Sequence, residues 1–528
     1  MSTAKARARG TWTPLAFALA LAALAAGHLA LRRDSFNLPL MSDEGEYAYA
    51  AQAWSAGGLP YRDAYFQKPP MIVLLYRAAY AARPGDLLAP RRLAVLFTWL
   101  SMLFLFLLTP EDWGPAARLS APAIYGVLST SPIGSLGFPA NTEVFLCAFT
   151  CLGALAAARS FKSARPAAWI LLCGLASGAA LMTKQTSLWT VLSFALLAAF
   201  GRKRRFDGRA AAAFAAGAAF VPALFAGYFL ARGGLGAFIA DAYGNNVRYA
   251  SAVVGTSSVG RQFAWFLRRV APLFAAGDWP VWAAAAWGLA GTQARWDEPE
   301  TLATLWLGTG LTGAVTGLFF FPYYFLQALP PLAFAGAAGV RKLGRKWRAV
   351  AAAALCLYPV LIRGRAYFIL PPRLEAARLL YPNPLFEAAD LGEYIRERSA
   401  PEDSVYVFGS EPHVYVYAGR RAATEHIFVF PLTTFPGGEG EIAAELAKVE
   451  AASPKFVVYS TQPGSTMIAS RLGERFRDGV RDLLNRRYRL AGRTDFPENP
   501  SGPPRLTPAS GAADWDAPST LFLFERAR

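Results

Sequence analysis

The sequence predicts a polytopic α-helical membrane protein ending in a soluble α/β domain. Three observations lead there. Apolar runs of spanning length recur through the first two thirds, basic residues cluster between them, and the last third loses both features. Residues 1–362 hold 32 Lys/Arg against 15 Asp/Glu, whereas 363–528 hold 21 of each, so the net charge of +17 belongs to the first part. Basic residues set between apolar runs mark membrane topology and exclude a nucleic-acid footprint. The division is placed at 1–364 and 365–528, with a first outer loop at about 32–90.

The first run, Trp12–Leu31, follows Lys5, Arg7 and Arg9 and is too long for the core of a signal peptide. It reads as an uncleaved span with a cytoplasmic N-terminus. In the loop after it, Tyr47, Ala50, Ala51 and Trp54 recur at helical spacing, which predicts a short amphipathic helix on the membrane. Met71–Ala82 is apolar but too short to span, so an interfacial or re-entrant helix is expected. Further spans are read at 93–109, 117–133, 143–158, 167–183, 186–200, 210–231, 272–291, 301–320, 323–340 and 349–362, about eleven in all. Residues 232–270 read as a polar loop. Segments 1–11, 159–165, 202–209 and 341–348 alternate onto one side and carry 3, 3, 5 and 5 basic residues. That positive-inside pattern puts the N-terminus in the cytoplasm and the C-terminal domain outside the cytoplasmic membrane of a prokaryote. One outer face then receives Asp43–Lys68, Glu143, Lys184, Arg261 and Tyr323–Tyr324.

In the last third, helices marked by Leu385–Ile395, Ile442–Val449 and Ile468–Val480 alternate with strands at 404–409, 455–460, 487–492 and 520–525. HVYVYAG, 413–419, reads as a strand or a short helix, and Pro-rich 497–508 as a loop. His413 and His426 read as structural. The four cysteines, Cys147, Cys151, Cys173 and Cys356, lie in apolar runs with no ligand partner at metal spacing, so they read as packing residues.

Chemistry concentrates in Met41–Pro70, MSDEGEYAYAAQAWSAGGLPYRDAYFQKPP. Carboxylates held at a membrane surface are costly unless paired or used, which makes Asp43, Glu44 and Glu46 functional candidates. The order of parts resembles the GT-C superfamily of membrane glycosyltransferases. It comprises one span, an outer loop with S-D-E-G-E-Y, G-G-L-P-Y-R-D and K-P-P, many more spans, and an outer soluble domain. The branch of protein O-mannosyltransferases and lipid A aminoarabinose transferases is most similar, through NTE at 141–143, GLASGAALMTKQ at 174–185 and YYFLQALPPLA at 323–333.

That resemblance implies a GT-C-like fold and a sugar donor linked to a polyprenyl phosphate, attacked with inversion by a protein, lipid or glycan acceptor at the outer face. Such a displacement needs a base for the incoming hydroxyl and cations for the leaving phosphate, but no general acid. By the resemblance Asp43 is the base and Glu44 the second member of the catalytic pair. Glu46 and Glu143 are assigned to the acceptor, and Lys68, Lys184, Arg261 and Tyr324 to the donor phosphate. Some relatives in the wider superfamily use a divalent metal, and the branch resembled here need not; no metal ligand is assigned. The competing reading, a transporter or flippase for lipid-linked solutes, predicts internal repeats and broken helices at the midplane. The sequence shows no similarity between its halves.

Overall fold

The computed structural model describes residues 12–131, 138–201, 205–255, 258–292, 295–368, 384–495 and 506–527. The basic segment 1–11 and most of the Pro-rich 497–508 stretch lie outside them.

The chain up to residue 368 is helical. Among the described residues, four helices are long and apolar enough to cross a membrane: Pro14–Phe36, which is α1 (Pro14–Arg32) with the 3-10 turn after it, then α4 (Ala89–Leu108), α6 (Thr142–Lys162) and α9 (Gly208–Ala231). The protein is thus an integral membrane protein. Several apolar helices are shorter, among them α3 (Met71–Ala82), α7 (Pro166–Leu181) and α8 (Leu188–Phe200). Local sequence sets their ends. Pro14 begins α1 where a missing N–H costs nothing, and the Thr13 hydroxyl accepts from the Ala16 N–H at 3.2 Å.

Lipid offers no hydrophobic drive for apolar helices to associate, so small residues and close backbones hold them together. A Cβ on Gly174 of α7 would stand 2.3 Å from the Phe214 carbonyl oxygen of α9. One on Gly217 would stand 2.4 Å from the Leu171 oxygen of α7. These glycines let the two backbones touch. The same device joins α13 (Ala271–Leu289) to α15 (Leu329–Lys342), where a Cβ on Gly339 would meet the Ala284 oxygen at 2.1 Å.

Two expectations change. Residues 232–270, expected as a polar loop, are largely helical: α10 (Leu235–Ile239), α11 (Asn245–Gly255) and α12 (Ser258–Trp265), interrupted by π turns at Ala240–Gly244 and Phe266–Val270. Asn246 explains part of this, because its amide donates back to the Ala242 carbonyl at 2.8 Å and stays in the helix instead of breaking it. The apolar run expected to start a span at 323 opens as a 3-10 helix, Pro322–Ala328, and only then continues as α15.

The last part of the chain is a mixed six-stranded sheet with helices on its faces. In chain order the strands are β1 (Ser404–Phe408), β2 (Arg421–Ala422), β3 (Phe456–Ser460), β4 (Tyr488–Asp495), β5 (Thr507–Pro508) and β6 (Thr520–Arg526). Their spatial order is β2-β1-β3-β6-β4-β5. β1 runs parallel to both neighbours, and the remaining pairs are antiparallel. The strand alternation sorts two cores. Val405, Val407, Val458, Leu521 and Leu523 join the core that continues into the membrane helices. Tyr406, Phe408, Val457, Tyr459, Phe522 and Phe524 pack under α23 (Arg471–Arg487). HVYVYA, read as strand or helix, is the short helix α19 (His413–Ala418). β2 and β5, two residues each, are too short to have left a pattern.

Candidate active site

Helix α2 (Ser42–Ser55) carries the acidic motif between the membrane helices and the sheet. Its first turn fixes how neighbouring carboxylates diverge. Glu44 Oε2 accepts the Met41 N–H at 3.0 Å, capping the helix. The same carboxylate is fully buried against Arg91 of α4, receives Arg91 Nε at 2.8 Å and the Ala140 N–H at 2.8 Å, and pairs with Arg91 Nη2. Arg91 in turn donates to the Ser35, Leu38 and Pro39 carbonyls. Glu44, expected as half of a catalytic pair, therefore pins the loop to α4, because successive helix residues point about 100° apart.

Asp43 and Glu46 lie on the other face. Lys68 reaches both, with Nζ 2.7 Å from Glu46 Oε2 and 3.4 Å from Asp43 Oδ1. Burial opposes the ammonium, but Asp43 and Glu46 outweigh it and hold the Lys68 pKa above its ordinary value. Burial pushes the Glu46 carboxyl up, against the pull of Lys68. Glu46 is nearly buried, whereas Asp43 keeps 28% of its side chain exposed. Asp43 is thus the looser partner and the one open to a ligand.

The loop that presents Lys68 is clamped from below. The Gln67 carbonyl accepts from Gln185 at 3.1 Å and from Asn246 at 2.7 Å, and the Met71 N–H donates to the Met182 carbonyl at 2.9 Å. Facing Lys68 across a set of tyrosines is a second ammonium. Lys184, just after α7, is ion-paired with buried Glu143 at the start of α6 and stands 3.8 Å from the centre of the Tyr324 ring. Tyr323 lies 5.9 Å from the same ammonium, and Lys68 lies 5.3 Å from the Tyr47 ring. Of the residues expected here, Asp43, Glu46, Lys68, Glu143, Lys184 and Tyr324 form one polar surface, with Glu143 as partner of Lys184. Arg261 is exposed on α12.

Sequence reading missed Tyr249 of α11. Its ring stacks 4.4 Å from Phe319 and lies 5.4 Å from Phe430, closing the site beneath the sheet domain. Burial raises its phenol, on which Lys68 and Asp43 act with opposite signs. The stretch YGNNVRY carries no apolar period, so only the fold marks this tyrosine.

The sheet part is held to α2 and the segments on either side of it by hydrogen bonds from backbone N–H groups. The Leu40 N–H donates to Tyr417 Oη, the Ala422 N–H to Tyr49 Oη, each at 2.8 Å, and the Tyr65 N–H to the Glu425 carbonyl at 2.7 Å. A Cβ on Gly45 would lie 2.4 Å from the His413 nitrogen, so glycine there lets α19 touch α2. Among the described residues, Glu425, His426 and Glu445 bring ligand atoms within 4.8 Å of one another. His426 and Glu445 already hydrogen-bond each other at 2.8 Å and Glu425 pairs with Lys448, so internal partners occupy this group.

Residues 67–229, the segment from the Lys68 loop to the end of α9, match the family described as dolichyl-phosphate-mannose-protein mannosyltransferase. The whole architecture is similar to that of ArnT from Cupriavidus metallidurans. Its apo crystal structure superposes on 97% of this chain and 98% of its own, with a TM-score of 0.56 and 15% identity. The crystal structure of the same protein bound to undecaprenyl phosphate covers 85% of this chain and 94% of its own, with a TM-score of 0.54 and 15% identity. The chain shares the fold of ArnT. No curated protein matches the chain in sequence.

Proposed function

We propose that this protein is a glycosyltransferase that moves a sugar from a polyprenyl-phosphate donor to an acceptor at the outer membrane face, with inversion and with Asp43 as general base. The observation that carries the reading is the unequal sharing of Lys68. Glu46 holds the ammonium at 2.7 Å and keeps it charged, while Asp43, at 3.4 Å and partly exposed, is free to exchange that contact for a substrate. A lipid phosphate entering between Lys68 and Lys184 meets two ammoniums about Tyr324, which stabilise the charge left on the leaving phosphate. Asp43, on the opening, takes the acceptor proton as its oxygen attacks the anomeric carbon. A single displacement by one base inverts that carbon. Glu46 and Glu143 then serve as partners that position the two lysines.

The ligands of similar proteins support the donor. The related ArnT binds undecaprenyl phosphate, and the matching family is described by a dolichyl-phosphate sugar. About eleven spans, a cytoplasmic N-terminus and an outer sheet domain follow from the charge pattern between the apolar segments.

The test is transfer from synthetic polyprenyl-phosphate sugars, with donor binding measured separately. Asp43→Asn keeps the size of the side chain and removes its basicity, and turnover should fall by about 10²–10⁴ with donor binding retained. Lys68→Met should weaken donor binding as well as turnover. Full activity in Asp43→Asn refutes the assignment of the base.

A further inference from the structure

Three helices leave a groove on a side of the bundle that faces lipid. Between α13, α15 and α16 (Arg345–Ile362) lies an open cavity of about 320 Å³, bordered by Ala284 and Trp287, by Gly339 and Val340, and by Ala351 and Leu355. The same stretches of α13 and α16 expose Trp282, Trp287, Val350 and Leu357. Packing explains the gap. α13 and α15 touch backbone to backbone at Ala284 and Gly339. α16 is tied to α13 nearer its other end, where Trp279 Nε1 donates to Tyr358 Oη at 2.9 Å and Arg363 pairs with Asp278 at 2.6 Å. Toward its start α16 offers Ala351 and Ala354, whose methyl groups leave the cavity open. Every side chain bordering it is apolar. Water finds no polar partner there, and an empty gap forfeits the dispersion contacts of its lining, so what fits is an apolar chain.

The mouth of the groove is basic. α15 ends in Arg341 and Lys342, α16 begins with Arg345, Lys346 and Arg348, and no acid lies between 341 and 348. Two of these cations are engaged elsewhere. Arg341 pairs with Glu300 of α14 (Pro299–Val315) at 2.7 Å, and Arg348 donates to the Leu343 and Trp113 carbonyls, each at 3.0 Å. Lys342 stands at the groove itself. Its Nζ donates to the Trp287 and Ala290 carbonyls at 2.9 and 2.7 Å and lies 5.9 Å from the centre of the Trp287 ring. An ammonium held by two carbonyls keeps a third hydrogen for another acceptor.

Arg345, Lys346 and Trp347 are exposed at the start of α16. The acids of the neighbouring turn, Asp297 and Glu298, face Arg295 at 3.5 and 3.7 Å. The positive-inside rule accounts for the number of these cations, but it does not ask for an ammonium set against the tryptophan that lines an apolar groove. An apolar slot with cations and tryptophan at its mouth matches a lipid that carries negative charge at its head. The site is remote from the chemistry, since Tyr324 precedes the start of α15 and Lys342 is its last residue.

We propose that this groove binds one anionic glycerophospholipid, with an acyl chain between α13, α15 and α16 and the phosphate against Lys342, Arg345 and Lys346. A zwitterionic lipid offers the same chain, but its own amine cancels the charge that three cations select. The test uses the full-length protein delipidated in detergent, with phosphatidylglycerol and phosphatidylcholine as probes. Native mass spectrometry should show one phosphatidylglycerol retained per chain under conditions that strip phosphatidylcholine. Phosphatidylglycerol should also raise the thermal midpoint saturably, and less so as salt rises. Arg345→Gln combined with Lys346→Gln should weaken that binding about thirtyfold at low salt, each cation near the head group being worth about fivefold. Ala354→Phe, which fills the groove and leaves every charge in place, should abolish retention. Equal retention of the two lipids, or unchanged phosphatidylglycerol binding in the double variant, overturns the proposal. A dimer in detergent that Ala354→Phe dissociates gives the groove to a second copy of the chain and overturns it as well. Arg345 and Lys346 are exposed, so their double variant decides the matter even where Ala354→Phe fails to fold.

Discussion

Glu44 and Asp43 are neighbours in sequence, and their variants should fail in different ways. Glu44→Gln leaves the shape nearly unchanged but removes the charge that faces Arg91. The Glu44 carboxylate takes two contacts from Arg91, one from the Ala140 N–H and one from the Met41 N–H, at full burial. A carboxamide has only one accepting oxygen, so at least one of those donors is abandoned and a buried guanidinium loses its counter-charge. Breaking one side of a buried ion pair costs about 3–5 kcal/mol. The expected outcome is a clear loss of thermal stability in detergent, with the protein that stays folded retaining donor binding and turnover per molecule. Both are measurable on one preparation, by thermal unfolding and by transfer normalised to folded protein. Wild-type stability combined with abolished turnover would refute the reasoning and return Glu44 to the chemistry.

Gly45→Ala should weaken the seat of the sheet domain on α2, because the new methyl would lie 2.4 Å from backbone nitrogen of His413; an overpacking cost of about 1–3 kcal/mol should appear as a lower unfolding temperature. His426 should make stability fall with rising pH. Burial works against its charge, but Glu445, Glu425 and Glu441 prevail and raise its pKa in the folded protein. Its contribution is therefore fully present below the unfolded value of about 6.5 and lost as pH rises through the folded one. His426→Gln should flatten that slope in pH-dependent unfolding. For topology, single cysteines introduced at 440 and 205 should be labelled in intact cells at 440 and protected at 205; the reverse result would move Asp43 to the cytoplasmic side.

The sequence by itself determined the class of fold. Apolar length and the placement of basic residues are local quantities that the bilayer reads directly, so the helical body was visible without coordinates. Helix α3 falls on Met71–Ala82 as its apolar run predicted, and β1, β3 and β6 fall on the stretches read as strands. Only the tertiary structure decided what each charged residue does. The motif Asp43-Glu44-Gly45-Glu46 says nothing of Arg91, which lies 47 residues beyond Glu44 and holds it in a buried ion pair. Nor does it say that Lys68 is shared unequally, that Tyr249 closes the site from a segment without period, or that Gly45 is small so that His413 can approach. A side chain's role is set by the partner it meets, and those partners come from segments far apart in the chain, brought together only when the helices pack and the sheet settles on α2.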